Sequence, residues 1–171
     1  MSVIGVPPPG QQREEPVRRM RDGWLAPALA GATAFWLANL AISATRVAAS
    51  YRSALSISYV PMLVEAAAGG LILSGALAFV LVHHPAKIPG PGLLSKALLL
   101  GAVVVVLLTM GLELPSKLSS DVDDPARWLL VATVFNVIRI LALAVTIGVV
   151  TGHGSPRHSP HRGWTRRETR T

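Results

Sequence analysis

The chain has 171 residues and a net charge of +7, and it combines 51% hydrophobic residues with only 15% charged residues. Soluble domains usually carry about a quarter charged residues, so this composition favours a membrane protein over a soluble enzyme or a nucleic-acid-binding domain. The absence of cysteine excludes disulfide frameworks, thiolate metal sites and cysteine nucleophiles.

Residues 1–23 form a polar, proline-rich segment ahead of the first apolar run. Such a segment cannot bury enough apolar surface to offset its ordering entropy, so we predict a disordered cytoplasmic tail. A cleavable signal peptide is the alternative, because an arginine-rich stretch precedes an apolar core. We favour a retained helix, since this core is longer than the hydrophobic region of a typical signal peptide.

Four apolar runs follow, and each is long enough to cross a bilayer as a helix. A lone strand would leave its backbone N–H and C=O groups unpaired in lipid, so helices are expected. We therefore predict an all-α membrane protein, with four transmembrane helices forming an antiparallel bundle over residues 24–150. The predicted helices cover residues 24–51, 60–82, 93–114 and 128–150.

Helix-breaking residues mark the connections between these runs. A proline- and glycine-rich stretch, residues 83–92, separates the second helix from the third. Pro115 is predicted to end the third helix. Asp124 and Pro125 together predict an N-cap followed by proline in the first turn of the fourth helix.

Positive charge is distributed unevenly over the two sides that this topology creates. Eleven of the 16 Lys and Arg residues lie in the two tails and in the loop between helices two and three. Four lie on the other side, in or near the other two connections. Because cytoplasmic segments carry the excess of Lys and Arg, both termini are predicted to be cytoplasmic. We expect a multi-pass protein of the cell membrane, in a bacterial inner membrane.

The polar residues inside the predicted spans include Asn39, Glu65, Asn136 and Arg139. At a rise of about 1.5 Å per residue they gather in the outer half of the membrane. A charge near mid-bilayer costs about 2.5–3.5 kcal/mol, so such residues usually face the bundle interior and pair. We predict a buried Glu65–Arg139 pair, with both asparagines completing its hydrogen bonds. This cluster either fixes helix register or forms a proton or substrate site.

Two further features point to surfaces rather than to chemistry. Helix two carries small residues at every fourth position, a pattern that predicts close helix packing within the chain or with a partner. These residues are Ala66, Gly70 and Ser74. The tail of residues 151–171 is predicted to be disordered and cytoplasmic. It either contacts anionic lipid or only satisfies the orientation rule, and its candidate lipid-contacting residues are Arg162, Trp164, Arg166 and Arg167.

No catalytic motif is present, so neither an enzymatic activity nor a catalytic residue is predicted. The five histidines suggest no metal or haem site across the bilayer core, and no cofactor is expected. The leading prediction is a non-enzymatic accessory, scaffold or assembly component. It would pack against lipid and against other membrane proteins or a second copy of itself.

The alternative is a small transporter or channel whose path is lined by Glu65 and Arg139. A weaker third prediction is a sensor that uses the acidic outer loop. A water-accessible cavity that reaches Glu65 would favour the transporter over the accessory protein.

Overall fold

The computed structural model describes residues 23–119 and 122–154, and all regular elements within these ranges are helical. Most of the predicted N-terminal tail, and the predicted lipid-contacting residues Arg162, Trp164, Arg166 and Arg167, lie outside the described residues. The α-helices are α1 (Leu25–Ser43), α2 (Arg46–Ala54), α3 (Tyr59–His83), α4 (Leu93–Leu108), α5 (Leu114–Leu118) and α6 (Pro125–Gly154).

Four helical segments in the described part of the chain are long and apolar enough to cross a membrane. This finding confirms the all-α class and the four apolar helices that the sequence predicts. The segments are Leu25–Ser43, Tyr59–His83, Leu93–Leu118 and Pro125–His153.

The predicted first helix, residues 24–51, is interrupted in the structure. Thr45 adopts an extended conformation between α1 and α2, and its hydroxyl accepts a hydrogen bond of 3.2 Å from the Ala48 backbone N–H. This bond caps the N-terminus of α2. The prediction of one continuous helix is therefore wrong, because a local side-chain cap offers the backbone an alternative to a further helical turn.

Thr45→Ala is expected to destabilise the protein by about 1 kcal/mol, because it removes the cap of α2. Hydrogen exchange at the Ala48 amide should accelerate in the variant, and thermal unfolding in detergent should report the lost stability. Thr33→Ala is the matched control, since the exposed Thr33 hydroxyl only donates back to the Leu29 carbonyl of its own helix. Equal effects of the two substitutions would contradict a capping role.

The third apolar run continues through Pro115, which the sequence predicted as its end. A π-helical turn, Thr109–Glu113, links α4 to α5. Proline has no N–H and its ring crowds the carbonyl four residues earlier, and a wider turn relieves both problems. The extra length places Glu113 and the buried Lys117 beside the N-terminal half of α6.

The predicted N-cap of α6 is confirmed, and the helix begins at Pro125, ahead of the predicted bound at residue 128. The Arg127 backbone N–H donates to the Asp124 carboxylate at 3.1 Å, and Pro125 is the first residue of the helix. Asp124 has a positive φ of 56°, which Asp tolerates better than most residues. The cap therefore sets the direction in which α6 leaves the preceding loop.

Helices α1 and α6 occupy the middle of the arrangement. α1 packs extensively against α3 and α6, and α6 packs against α1 and α4, whereas α3 and α4 touch only slightly. The buried apolar core gathers at the end where α3 finishes and α4 begins. Its members include Ala28, Leu77, Leu81, Ala97, Leu143 and Ile147.

The small residues of α3 lie at an intramolecular contact. A Cβ on Gly70 would lie 2.8 Å from Phe35 Cδ1, so only glycine permits this approach of α1. The buried Ser74 hydroxyl donates to the Ala28 carbonyl, and Ala66 packs against the core. The structure thus places this pattern against α1, within the chain.

Candidate binding cavity

A cavity of about 460 Å³ opens at the end of the helices opposite the apolar core. The end of α1, the helix α2, the start of α3, Glu113 and the N-terminal half of α6 form its walls. Its charged and hydrogen-bonding residues include Tyr51, Arg52, Glu65, Glu113, Asn136 and Arg139. The break at Thr45 creates this site, because it turns α2 into a separate wall.

Aromatic contacts hold α2 against α6. The Tyr51 ring meets Trp128 and Phe135 edge to face, with ring centroids 5.9 and 5.8 Å apart. Burial raises the pKa of the Tyr51 phenol above its ordinary value, so the hydroxyl stays protonated at neutral pH. Tyr51 therefore faces the cavity as a neutral group able to donate a hydrogen bond.

The Glu113 carboxylate already has two partners. It accepts a hydrogen bond of 3.2 Å from Asn136 Nδ2, and Lys117 Nζ lies 3.6 Å from its second oxygen. The Lys117 ammonium also lies 5.1 Å from the centre of the Tyr51 ring. The Lys117 ammonium thus balances the charge of the Glu113 carboxylate. Through its hydrogen bond with Asn136, the carboxylate also links α6 to the end of the third apolar segment.

Arg52 is also engaged within the protein. Its Nη1 donates to the Ser43 carbonyl at 3.3 Å, and its guanidinium lies 5.0 Å from the centre of the Tyr59 ring. These contacts span the break between α1 and α2 and reach the start of α3. Arg52 therefore closes one corner of the cavity, held by a carbonyl and an aromatic ring, with no carboxylate of the described residues within 4.0 Å.

Glu65 and Arg139 both line the cavity but form no ion pair with each other. Lys117–Glu113 is the one ion pair within 4.0 Å in the described part of the chain. Arg139 is half-buried, its Nε is shielded from solvent without a hydrogen-bond partner, and its guanidinium lies 5.9 Å from the Phe135 ring centre. Glu65 is exposed on the opposite wall.

The predicted buried Glu65–Arg139 pair is therefore corrected. α3 makes few contacts with α4 and α6, so its N-terminal half is left uncovered on the cavity side and Glu65 remains accessible. Both charged side chains line the same cavity, but they belong to different helices. Sequence spacing placed them at a similar depth but could not determine which helices are neighbours.

The two predicted asparagines have different surroundings. Asn136 lines the cavity and donates to Glu113. Asn39 is 0% exposed, does not line the cavity, and neither of its amide atoms has a hydrogen-bond partner in the described structure. Three of the four residues predicted as a cluster therefore meet at the cavity, and the fourth lies in the protein interior.

No family model, curated protein or solved structure matches this chain. The site must therefore be interpreted from its own residues. Sequence reasoning missed Tyr51, Arg52 and Lys117 as parts of it. The spacing of Glu113 and Lys117, four residues apart on a helix, was the signal that could have revealed their pairing.

Two other cavities are lined almost entirely by apolar groups. One, of about 330 Å³, lies between α4 and α6 around Gly101 and Ala144. The other, of about 430 Å³, lies between α1 and α3 beside Trp24 and Gly75. Within residues 23–119 and 122–154, no group of three or more His, Asp or Glu side chains is placed to hold a metal ion.

Proposed function

We propose that the chain is a multi-pass protein of the cell membrane whose four apolar helices cross the bilayer as an antiparallel bundle. The contacts support this arrangement: Trp24 at the start of α1 meets Phe79 near the end of α3, with ring centroids 6.0 Å apart. Gly148 near the end of α6 likewise contacts Leu94 at the start of α4. Many large apolar side chains are exposed on the helices, as a lipid environment requires.

In this proposal both termini are cytoplasmic, because Lys and Arg are concentrated on that side. The cavity then opens to the outside, and the apolar core lies toward the cytoplasm. The location in a bacterial inner membrane stays a prediction.

Within this frame, the proposed function is non-enzymatic binding of a small polar ligand, as a small transporter would bind its solute. One observation carries it: the cavity reaches Glu65 and Arg139, two charged residues of membrane-spanning segments. Charges in such segments are costly and commonly mark substrate or ion pathways. The cavity volume also falls within the range of about 300–1,000 Å³ that is typical of ligand sites.

Passage across the membrane would require movement of the helices. At Gly31 the three helices α1, α3 and α6 meet so closely that an added Cβ would lie 2.5 Å from Ser74 Oγ and 2.7 Å from Ile147 Cγ1. This packing closes the cytoplasmic end of the cavity in the present conformation. In the proposed orientation, this conformation is open to the outside only.

A second candidate function is the accessory or scaffold role. The apolar groove between α4 and α6 favours it, because Gly101 and Ala144 form a surface that another helix could approach closely. Purification in a mild detergent followed by mass spectrometry would test this role. Recovery of a stoichiometric membrane partner would support it, and recovery of the chain alone would weigh against it.

Single cysteines offer a direct test of the leading proposal, because the chain has no native cysteine. Met62→Cys, on the cavity wall, is expected to react in intact cells with a membrane-impermeant maleimide. Ser95→Cys, at the start of α4, should react only after permeabilisation. Val103→Cys is the lipid-facing control and should react under neither condition.

Two results would contradict the proposal in different ways. Labelling of Ser95→Cys in intact cells would reverse the orientation. An unreactive Met62→Cys beside a reactive Ser58→Cys, four residues earlier at the mouth of the cavity, would show that water does not fill the cavity.

A further inference from the structure

The charges of the cavity fall into two groups. Glu113 is bonded to Asn136 and lies beside Lys117, while Arg52 donates to the Ser43 carbonyl and lies over Tyr59. These side chains have their partners within the protein. A ligand would gain little by competing with contacts that are already made.

Glu65 and Arg139 form the second group: within the described residues neither has a hydrogen bond or an ion pair within 4.0 Å, and Glu113 attracts Arg139 only over a longer distance. The Glu65 carboxylate is exposed on the α3 wall, and the shielded Nε of Arg139 lacks a partner on the α6 wall. A charged group shielded from water without a partner is unfavourable, so a counter-charge that binds at the half-buried Arg139 relieves a penalty, while the exposed Glu65 carboxylate is accessible to a cationic group. Arg52 is a further cation of the cavity, but its guanidinium is engaged by a backbone carbonyl and an aromatic ring, which leaves Glu65 and Arg139 as the anion and the cation most available to a ligand.

We propose that this cavity binds a zwitterion, a small unit that carries both an ammonium group and a carboxylate or phosphate. The inference rests on the proposed binding function and specifies its ligand class. The ammonium group pairs with Glu65, and the oxyanion pairs with the Arg139 guanidinium, which presents several N–H donors suited to carboxylate or phosphate oxygens. The protonated Tyr51 hydroxyl is a further donor available to the oxyanion.

Ligands with a single charge fit less well. A simple anion at Arg139 would leave Glu65 unpaired and would be repelled by it. A simple cation at Glu65 would meet the same difficulty with Arg139. Only a ligand that carries both charges neutralises both walls, and it enters with no net charge, which lowers the cost of moving it into a membrane-embedded site.

Two sources could supply this chemistry. One is a free solute from the outer compartment, such as an amino acid. The other is the head group of a zwitterionic phospholipid in the outer leaflet, where phosphate and ammonium are joined by two carbons. The test includes both sources.

The soluble arm compares three probes of similar size on the purified full-length protein: alanine, propionate and ethylamine. Glycerophosphoethanolamine is the fourth probe, because it carries the phosphodiester and ammonium groups of the lipid head group in soluble form. Binding is measured by calorimetry and by the shift in melting temperature. Wild-type protein is expected to bind alanine or glycerophosphoethanolamine at least about tenfold more tightly than either singly charged probe.

The lipid arm uses nanodiscs of phosphatidylethanolamine or of phosphatidylglycerol. A higher melting temperature in phosphatidylethanolamine, without binding of the soluble zwitterions, would support the proposal with lipid as the source. Binding of alanine or glycerophosphoethanolamine in detergent would support it with a free solute as the source. Equal stability in both lipids, without binding of any soluble zwitterion, would overturn it.

Charge-removing variants give the sharpest result, because they should change the ligand preference. Glu65→Gln is expected to weaken zwitterion binding about 10- to 100-fold and to shift the preference toward propionate. Arg139→Gln should shift it toward ethylamine. Arg139→Lys keeps the positive charge and should retain the zwitterion preference. It thereby separates loss of the charge from a folding defect as the cause of any change in Arg139→Gln.

Arg127→Gln is the matched control, since Arg127 is exposed, lies over the Trp128 ring and does not line the cavity. It removes a positive charge from the same helix and should leave the preference unchanged.

Failure of the zwitterion claim is distinguishable from failure of the proposed function. Tight binding of propionate or ethylamine would overturn only the former, whereas an unlabelled Met62→Cys with no bound probe would overturn both.

Discussion

A single methyl group added by Gly148→Ala is expected to destabilise the protein by about 1–3 kcal/mol, despite the higher helix propensity of alanine. The new Cβ would lie 2.9 Å from the Cα of Leu94 and 3.2 Å from the Cβ of Ala97. The Leu94 atom belongs to the main chain and cannot rotate away, so α4 and α6 must separate. Thermal unfolding in detergent, followed by tryptophan fluorescence, would measure the effect.

Gly152→Ala is the matched control for this prediction. Gly152 lies four residues further along the same helix, and a Cβ there would have no other atom of residues 23–119 or 122–154 within 4 Å. This substitution should leave the melting temperature unchanged or raise it slightly. If both alanine variants were as stable as the wild-type protein, the close approach of α4 and α6 would be contradicted.

Asn39→Leu is expected to change stability in the opposite direction, raising it by about 1–3 kcal/mol. Both amide atoms of Asn39 are buried without a hydrogen-bond partner in the described structure. Leucine has the same number of heavy side-chain atoms in the same branched shape, so it removes the penalty of burying these polar atoms with little change in packing. Titration with a denaturing detergent in mixed micelles would measure the difference.

Asn136→Leu provides the contrast, because the Asn136 amide donates to the Glu113 carboxylate. Removing the amide leaves the half-buried Glu113 carboxylate with one hydrogen-bond donor fewer, so this variant should be less stable than the wild-type protein. The two asparagines therefore predict opposite signs for the same substitution. Loss of stability in Asn39→Leu, to the extent seen in Asn136→Leu, would show that the Asn39 amide has a stabilising partner.

These results would also bear on the proposed binding cavity. Gly148 lies in the packed half of the protein, whereas Asn136 lies on the cavity wall. A protein that binds a ligand in its open half needs a rigid base on which the binding side chains are positioned. Substitutions at Gly148 should therefore reduce stability and ligand affinity together, whereas Glu65→Gln should change ligand preference with little effect on stability, because its side chain is exposed.

The sequence by itself determined the four apolar helices of this protein. Their length and composition suffice, because a chain in lipid must satisfy its backbone hydrogen bonds internally and the helix does so within one segment. Asp124 and Pro125 likewise predicted the start of α6, since a capping side chain acts on the backbone only a few residues away. Both inferences depend on local interactions.

Only the tertiary structure decided how the helices are ordered and therefore where the charges lie. Each of the four long helices is apolar on nearly all sides, so its sequence does not mark the face that a neighbour covers. For this reason the sequence could place Glu65 and Arg139 toward the same end of the helices, but could not show that they line one cavity without pairing. The break at Thr45 and the passage through Pro115 have local causes, but their role as walls of one cavity depends on how α2 and Glu113 pack against α6.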